Sequence, residues 1–304
     1  HKEFQDEYQN LPYHPDSKAC KVVTLQQLQT GSEKLKTLLK NRIANKNIKG
    51  CRLTANNETV PFTGTQVHGY TLEHELGITT NADKNGDIFG IELKCFTSKK
   101  LTLFTPEPDG GLYSESFEEF MCRYGYSKEA VYRFTGLHRA GEINNKSQLK
   151  LAVLCSAKKG NDDLIDYDIK KPFKDQLKNL QVVLMDDAND IAASWSITRL
   201  FNNWGVKHNE VVYVPASVED NTVVEEVALG FTRRVFFGAE VLWCRRSTLE
   251  HMLTAIVKGT IFLDPAPKFD ADNPKNNKRR SQWRINNIYR DAPNLYESVE
   301  TITF

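Results

Sequence analysis

The chain has 304 residues, with 40 Lys and Arg against 39 Asp and Glu and a formal charge of +1. Hydrophobic residues make up 40% and charged residues 26%, a balance that excludes a disordered or fibrous chain and suits one large two-lobed domain or two modest ones. The near-neutral charge also excludes a uniformly basic protein, so any surface for a polyanion must be local and offset by acidic surface elsewhere.

Residues 1–20 are polar, carry Pro12 and Pro15, and read as an extended arm. Over residues 24–45, Leu25, Leu28, Leu35, Leu38, Leu39 and Ile43 recur near helical spacing behind Thr24, a plausible N-cap, with an interruption at Gly31-Ser32. Lys34, Lys36, Lys40 and Arg42 line the rest of its second half, as a solvated face or a phosphate-backbone contact. Residues 51–54 form a short strand candidate. Residues 61–70 (PFTGTQVHGY) read as a loop in which Gly64 and Gly69 permit close backbone approach to a ligand. Thr65 and His68 are DNA-contact candidates on it, with a satisfied loop histidine as the alternative for His68. Thr71 then caps a short helix carrying Glu73.

The stretch 71–105 holds the densest chemistry. Residues 88–96 read as a strand, being short, mostly apolar and preceded by a Gly/Asp/Asn turn. Alternation along a strand puts Glu92 and Lys94 on one face and Ile91, Leu93 and Cys95 on the other, with Asp87 at the turn leading in. Two carboxylates beside a lysine suit a hard divalent cation, since Mg²⁺ takes oxygen ligands. The lysine would then orient or deprotonate a water and offset charge at a phosphate. Taken alone, the same pattern also describes a solvated strand face with a surface ion pair. Residues 101–104 follow the basic turn Lys99-Lys100 and are expected to complete a hairpin with this strand.

Further on, residues 114–124 read as a helix with Phe117, Phe120, Met121 and Tyr124 on its core face. Residues 148–157 and 164–169 read as strands extending the sheet, with Asp166 and Asp168 on one face of the second. Residues 195–204 read as a helix, 211–215 as a strand, 227–243 as two strands, and 247–258 as an amphipathic helix ended by Gly259. Between 268 and 290 seven basic residues stand against two acidic ones, +5 within a chain of +1. There, residues 278–285 (KRRSQWRI) mix side chains suited to bases: Arg pairs with guanine, Gln with adenine, and Trp stacks or packs. A basic surface hairpin with Trp283 in the core is the alternative.

Cys20, Cys51, Cys95, Cys122, Cys155 and Cys244 are widely spread with no C-x2-C pair, which argues against a zinc site and a secreted disulfide framework. Cys95 is expected in the core. No apolar run is long enough to cross a membrane and no signal peptide is evident, which predicts a cytoplasmic protein.

The string D-x4-E-L-K from Asp87 to Lys94 resembles the PD-(D/E)xK nuclease signature. With TLEHELGI before it and LTLFT-x-x-P after it, the region is similar to the MvaI/BcnI family of type II restriction endonucleases, relatives of the MutH mismatch-repair nickase. The runs W-x4-L-F from Trp195 and VVYVPA from Val211 resemble the family's second lobe. The resemblance implies an α/β fold with a mixed central sheet, flanking helices and two lobes around a DNA cleft. The expected division is an arm and helix over 1–50, a catalytic lobe over 51–170 and a recognition lobe over 171–304. It implies catalytic roles for Glu73, Asp87, Glu92 and Lys94, with Asp87, Glu92 and Glu73 binding Mg²⁺, for which Mn²⁺ would substitute. DNA contacts are expected from Thr65, His68, Lys99, Lys100, Lys278, Arg279, Arg280, Gln282, Trp283 and Arg284. The implied activity is cleavage of double-stranded DNA at a short sequence, by a monomer of prokaryotic origin with a cognate DNA methyltransferase as genetic partner. A MutH-like nickase and a DNA-binding protein with a decayed nuclease site are the alternatives. Asp264-Pro265-Ala266 and Arg279-Arg280 stand where family members cutting CCNGG-type sites carry Asp-x-Arg and His-Gly, which leaves the target sequence open.

Overall fold

A computed structural model describes residues 9, 11–14, 16–21, 30–78, 87–98, 100–128, 131–156, 163–205 and 208–304. The strands β1 (Tyr13–His14) and β2 (Ser17–Lys21) pair as a small hairpin within the expected arm. The helix α1 (Gly31–Arg42) begins where an interruption was expected. Thr30 caps it, accepting from the Glu33 amide while the Glu33 carboxylate accepts from the Thr30 amide, a reciprocal capping box. The expected cap at Thr24 lies outside the described residues.

After β3 (Lys46–Lys49), the strands β4 (Cys51–Leu53) and β5 (Thr59–Pro61) make a hairpin, and α2 (Val67–Glu75) follows. The loop expected over 61–70 therefore ends early, and His68 stands in the first turn of α2. Thr71 is not its cap. It is buried within the helix, and its hydroxyl accepts from the Cys51 amide at 3.2 Å.

The strand β6 (Glu92–Phe96) starts later than the apolar run suggests. Residues 88–91 instead close a tight turn, bridged between Ile88 and Ile91, with Phe89 and Gly90 both at positive φ (53° and 76°). Two successive left-handed residues define the mirror-image turn type favoured in hairpins. β7 (Leu101–Phe104) does not pair with β6. It pairs antiparallel with a strand some 180 positions further along the chain, so the expected hairpin does not form.

Beyond it come α3 (Leu112–Glu115) and α4 (Phe117–Tyr124), where a single helix was expected. Ser116 separates them and caps α4 by accepting from the Glu119 amide. Phe120, Met121 and Tyr124 are buried as the periodicity requires. β8 (Tyr126–Lys128) and β9 (Val131–Arg133) form a hairpin. β10 (Lys150–Ser156), β11 (Leu164–Asp166), β12 (Gln181–Met185) and β13 (Ile191–Ser196) form a separate antiparallel sheet in the order β11-β10-β12-β13. Trp195 belongs to β13, and α5 (Ile197–Trp204) starts behind the cap Ser196.

The long β14 (Glu210–Asp220) is the spine of the main sheet. With α6 (Val224–Ala228), β15 (Arg233–Phe237), β16 (Glu240–Arg245), α7 (Leu249–Val257), β17 (Phe262–Leu263), β18 (Lys268–Asp270), β19 (Trp283–Ile285), α8 (Ile288–Asp291) and β20 (Ser298–Thr303), it completes the chain. The main sheet runs β20-β16-β14-β15-β3, with β6 added parallel to β14. Alternation along β14 gives the sheet two apolar faces. Val212 and Val214 pack with Leu35 and Leu39 of α1, Leu72 of α2, and Ile91. Leu93 and Cys95 join this side, as expected of that face of β6. Val211 and Tyr213 face the larger core, shared with β10, β12, α4 and α7 and with the small sheet β17-β19-β7. β3, β6, β14, β16 and β20 come from all parts of the chain, so the main sheet gathers strands from residue 46 to residue 303.

Candidate functional site

The acidic pocket forms where α2 packs against β6. Glu92 and Lys94 stand two apart on β6, and Lys94 Nζ donates to Glu92 Oε1 at 3.0 Å. Both are well covered, Glu92 to 5% exposure. They share a face with Val211 and Tyr213, their register partners on β14. Asp87 is held at the entry turn, where its Oδ2 accepts from the Leu93 amide at 2.7 Å and its own amide donates to the Ile91 carbonyl. A charge-assisted bond to a strand amide fixes this carboxylate at the head of the strand.

Glu73 reaches the same pocket from α2. Burial pushes its carboxyl up to about 7, and the charges of Asp87 and Glu92 push in the same direction. The structure thus brings all four expected residues together: three carboxylates from two elements and a turn, and one lysine. Hard oxygen donors in excess of the local positive charge, with the ionisation of one opposed chiefly by burial and then by its neighbours, suit a divalent cation such as Mg²⁺. His68, one turn before Glu73 on α2, hydrogen-bonds the Cys95 backbone and ties the helix to β6. Burial lowers its pKa, and this bond opposes the shift. It is a tether between elements rather than an open loop side chain.

Below this face lies a polar chain absent from the sequence reading. Tyr213 and Tyr296 hydroxyls meet at 2.7 Å, and Tyr296 meets His208 Nδ1 at 2.7 Å, all of them fully buried. Burial holds both phenols protonated, and the charge of Glu92 adds to this. Tyr213 is legible only once β14 is known to lie beside β6.

The basic segment alternates in the same way. Ser281, Trp283 and Ile285 point inward, whereas Gln282 and Arg284 are half-buried and Lys278, Arg279 and Arg280 are exposed. Trp283 offers no face to a base. It is fully enclosed, stacked on Phe104 at 5.8 Å and edge-on to Trp195 at 5.1 Å, because β19 pairs with β7 over the main core. Arg279 lies over the rings of Phe117 (4.6 Å) and Tyr113 (5.2 Å). Lys100 and Arg284 both pair with Asp264 Oδ2, at 3.0 and 2.9 Å, so each is held by protein. Lys99 lies outside the described residues, and Thr65 is exposed just before α2.

A cleft of about 420 Å³ opens beside the basic segment. It is lined by Gln66 at the start of α2, by Thr102, Thr105 and Glu107, and by Arg279, Arg280 and Gln282. Thr102 was legible as the polar member of the alternating run LTLF. Gln66 gave no signal, and Asp264, singled out in the sequence with Pro265 and Ala266, gains its partners Lys100 and Arg284 only from the fold.

The mixed sheet, its flanking helices and the acidic edge strand β6 define a restriction-endonuclease-like α/β fold. The chain matches the family model of the MvaI/BcnI restriction endonucleases over residues 37–296 and belongs to that family. Its fold is similar to that of restriction endonuclease MvaI in complex with its cognate DNA, with a TM-score of 0.61, 14% identity and coverage of 91% of this chain and 99% of that one. The MvaI structure without DNA also matches, with a TM-score of 0.44 at the same identity and coverage. A comparison with curated protein sequences gave no match. Among the described residues, no helix is long and apolar enough to cross a membrane.

Proposed function

We propose that this chain is a Mg²⁺-dependent type II restriction endonuclease that hydrolyses phosphodiester bonds of double-stranded DNA at a short specific sequence. The observation that carries the reading is the convergence of Glu73, Asp87, Glu92 and Lys94 in one half-buried pocket. Asp87, Glu92 and Glu73 would hold the cation. When bound, Mg²⁺ supplies Lewis-acid polarisation of the phosphate and acidification of a water. Lys94 contributes through Nζ, which Glu92 orients at 3.0 Å and which can hold the attacking water. Its positive charge also offsets the negative charge that grows on the phosphorane. Asp87 stays in place through the Leu93 amide, so binding a cation requires little rearrangement of the turn.

Arg280 and Gln282 are the base-reading candidates, because they face the cleft together with Gln66, Thr102 and Thr105. The Lys100–Asp264–Arg284 cluster presets the outer face of β19 beside them. A supercoiled plasmid carrying varied sequence, incubated with the purified chain and Mg²⁺, tests the proposal. Linear fragments with uniform ends are expected, and sequencing those ends gives the site. Nicked circles alone would assign a MutH-like nickase, and uncut DNA with retained binding would assign a decayed site.

A further inference from the structure

Cys51, His74 and Glu75 meet on the side of α2 that faces the β4–β5 hairpin. One donor atom from each lies within 4.8 Å of the others. Successive helix residues are about 100° apart, so His74 and Glu75 look away from the pocket that Glu73 enters. Tetrahedral coordination at ordinary zinc bond lengths sets donor atoms roughly 3.3–3.7 Å apart, a closure within reach of side-chain adjustment. The histidine is already oriented: one ring nitrogen, Nε2, meets Thr59 Oγ1 at 2.8 Å and the other, Nδ1, meets Glu75 Oε1 at 2.9 Å. A metal-bound imidazole typically holds its second nitrogen on such an oxygen. Cys51 is fully buried, whereas the His74 and Glu75 side chains are 18% and 21% exposed, which leaves an entry path and room for a water ligand.

We propose that Cys51, His74 and Glu75 form a metal site, separate from the acidic pocket, for a borderline-soft divalent cation of the Zn²⁺ class. Thiolate, imidazole and carboxylate together favour Zn²⁺ over Mg²⁺ or Ca²⁺. Binding releases the thiol proton to solvent and forms a metal–sulfur bond, with no redox change. The ion would clip β4 to α2, and Thr59 of β5 would support the histidine. It would thereby fix the helix that carries Glu73. The absence of a C-x2-C pair weighs only against sites built from cysteine pairs. Here one cysteine meets a His-Glu dipeptide brought to it by the fold.

The test uses the full-length chain, stripped with a chelator and dialysed against Zn²⁺ in excess Mg²⁺. One tightly held Zn²⁺ per chain is expected, and Co²⁺ in its place should give a thiolate-to-metal charge-transfer band. Cys51→Ser should abolish the band and weaken Zn²⁺ at least 100-fold. Thr59→Val should weaken it about 10–100-fold. Asp87→Asn and Cys95→Ser should leave both readouts unchanged. Zn²⁺ should also raise the Tm of the wild-type chain by about 5 °C and that of Cys51→Ser by much less. Should Cys51→Ser be poorly folded, Glu75→Gln provides the comparison of Zn²⁺ affinity with the thiol in place, and an unchanged affinity there would also overturn the assignment. No bound Zn²⁺ in the wild-type chain, or an unchanged band and stoichiometry in Cys51→Ser, would overturn the assignment.

Discussion

Glu73 is the carboxyl whose ionisation the acidic pocket opposes, and its behaviour without metal follows from that. Its folded pKa is raised to about 7 from an ordinary 4.5, so the folded state holds a proton that the unfolded chain has released. Stability of the metal-free protein should therefore fall as pH rises from 4.5 through 7, and the loss should persist above 7. Glu73→Gln removes that term. Because the side chain is partly exposed, the gain at pH 8 should be on the order of 1 kcal/mol, about 2–4 °C in Tm, and it should vanish near pH 4.5. Calorimetry in a chelating buffer at both pH values checks this, and equal Tm differences at the two would refute it. The other pocket residues divide by role. Asp87→Asn keeps an acceptor for the Leu93 amide but loses the charge, and should abolish cleavage while DNA binding in Ca²⁺ survives. Lys94→Ala should slow cleavage at least about 100-fold with a smaller change in Mg²⁺ affinity. Gel shifts beside cleavage rates separate the two, and a Lys94→Ala variant that cut normally would remove the lysine from the chemistry. Glu92 and Lys94 were legible because they alternate on one strand, and Asp87 because it stands in the turn just before it. Glu73 was found by resemblance alone, since nothing local links a helix glutamate to a strand 20 positions on.

At the scale of elements, β19 and the residues leading into it carry two sets of side chains with different work. Trp283 points into the core against Phe104 and Trp195, whereas Gln282 and Arg280 line the cleft. Trp283→Ala should cost about 3–5 kcal/mol of stability, read by denaturant unfolding, as expected of an aromatic removed from a packed interior. Arg280→Ala and Gln282→Ala should leave stability within about 0.5 kcal/mol. At least one of them should lose about 1–3 kcal/mol of preference for cognate over random DNA. Affinities for both DNAs across a salt series decide this. Equal weakening on both DNAs would make the segment a phosphate clamp. The alternation of KRRSQWRI was visible in the sequence, but its phase was not. Which residues face inward depends on pairing with β7, and that pairing joins segments far apart in the chain. The same non-local pairing broke the expected β6–β7 hairpin, since turn composition identifies a reversal but not the partner strand.

On the scale of the whole molecule, the α/β architecture was legible from alternating runs, whereas the strand order was not, because the main sheet gathers strands from residues 46 to 303. A fold stitched in this way relies on seams, and one of them titrates. His138 is fully buried, bridged through its backbone to Leu263 of β17 and stacked on Phe134 at 5.2 Å. Its ring meets the Gly136 carbonyl at 3.0 Å and the Ser147 hydroxyl at 2.8 Å. Burial pushes its pKa down to about 4, against the smaller opposing effects of the Gly136 carbonyl and the Asp264 charge. The folded state therefore keeps His138 neutral while the unfolded chain protonates near 6.5. That difference contributes stability fully above pH 6.5 and loses it progressively as pH falls towards 4, by on the order of 3 kcal/mol. Carboxylates whose folded pKa is lowered, such as Glu210 and Asp270, are also lost in acid, so wild type alone cannot isolate the histidine. His138→Gln retains a donor and an acceptor but cannot protonate. It should be less stable than wild type at pH 7.5, through poorer stacking, yet its stability should fall less steeply between pH 6.5 and 4, by up to one proton. Urea unfolding across that range measures both slopes. Parallel slopes would mean that His138 is protonated in the folded state, and the acid sensitivity of this seam would then belong to its carboxylates.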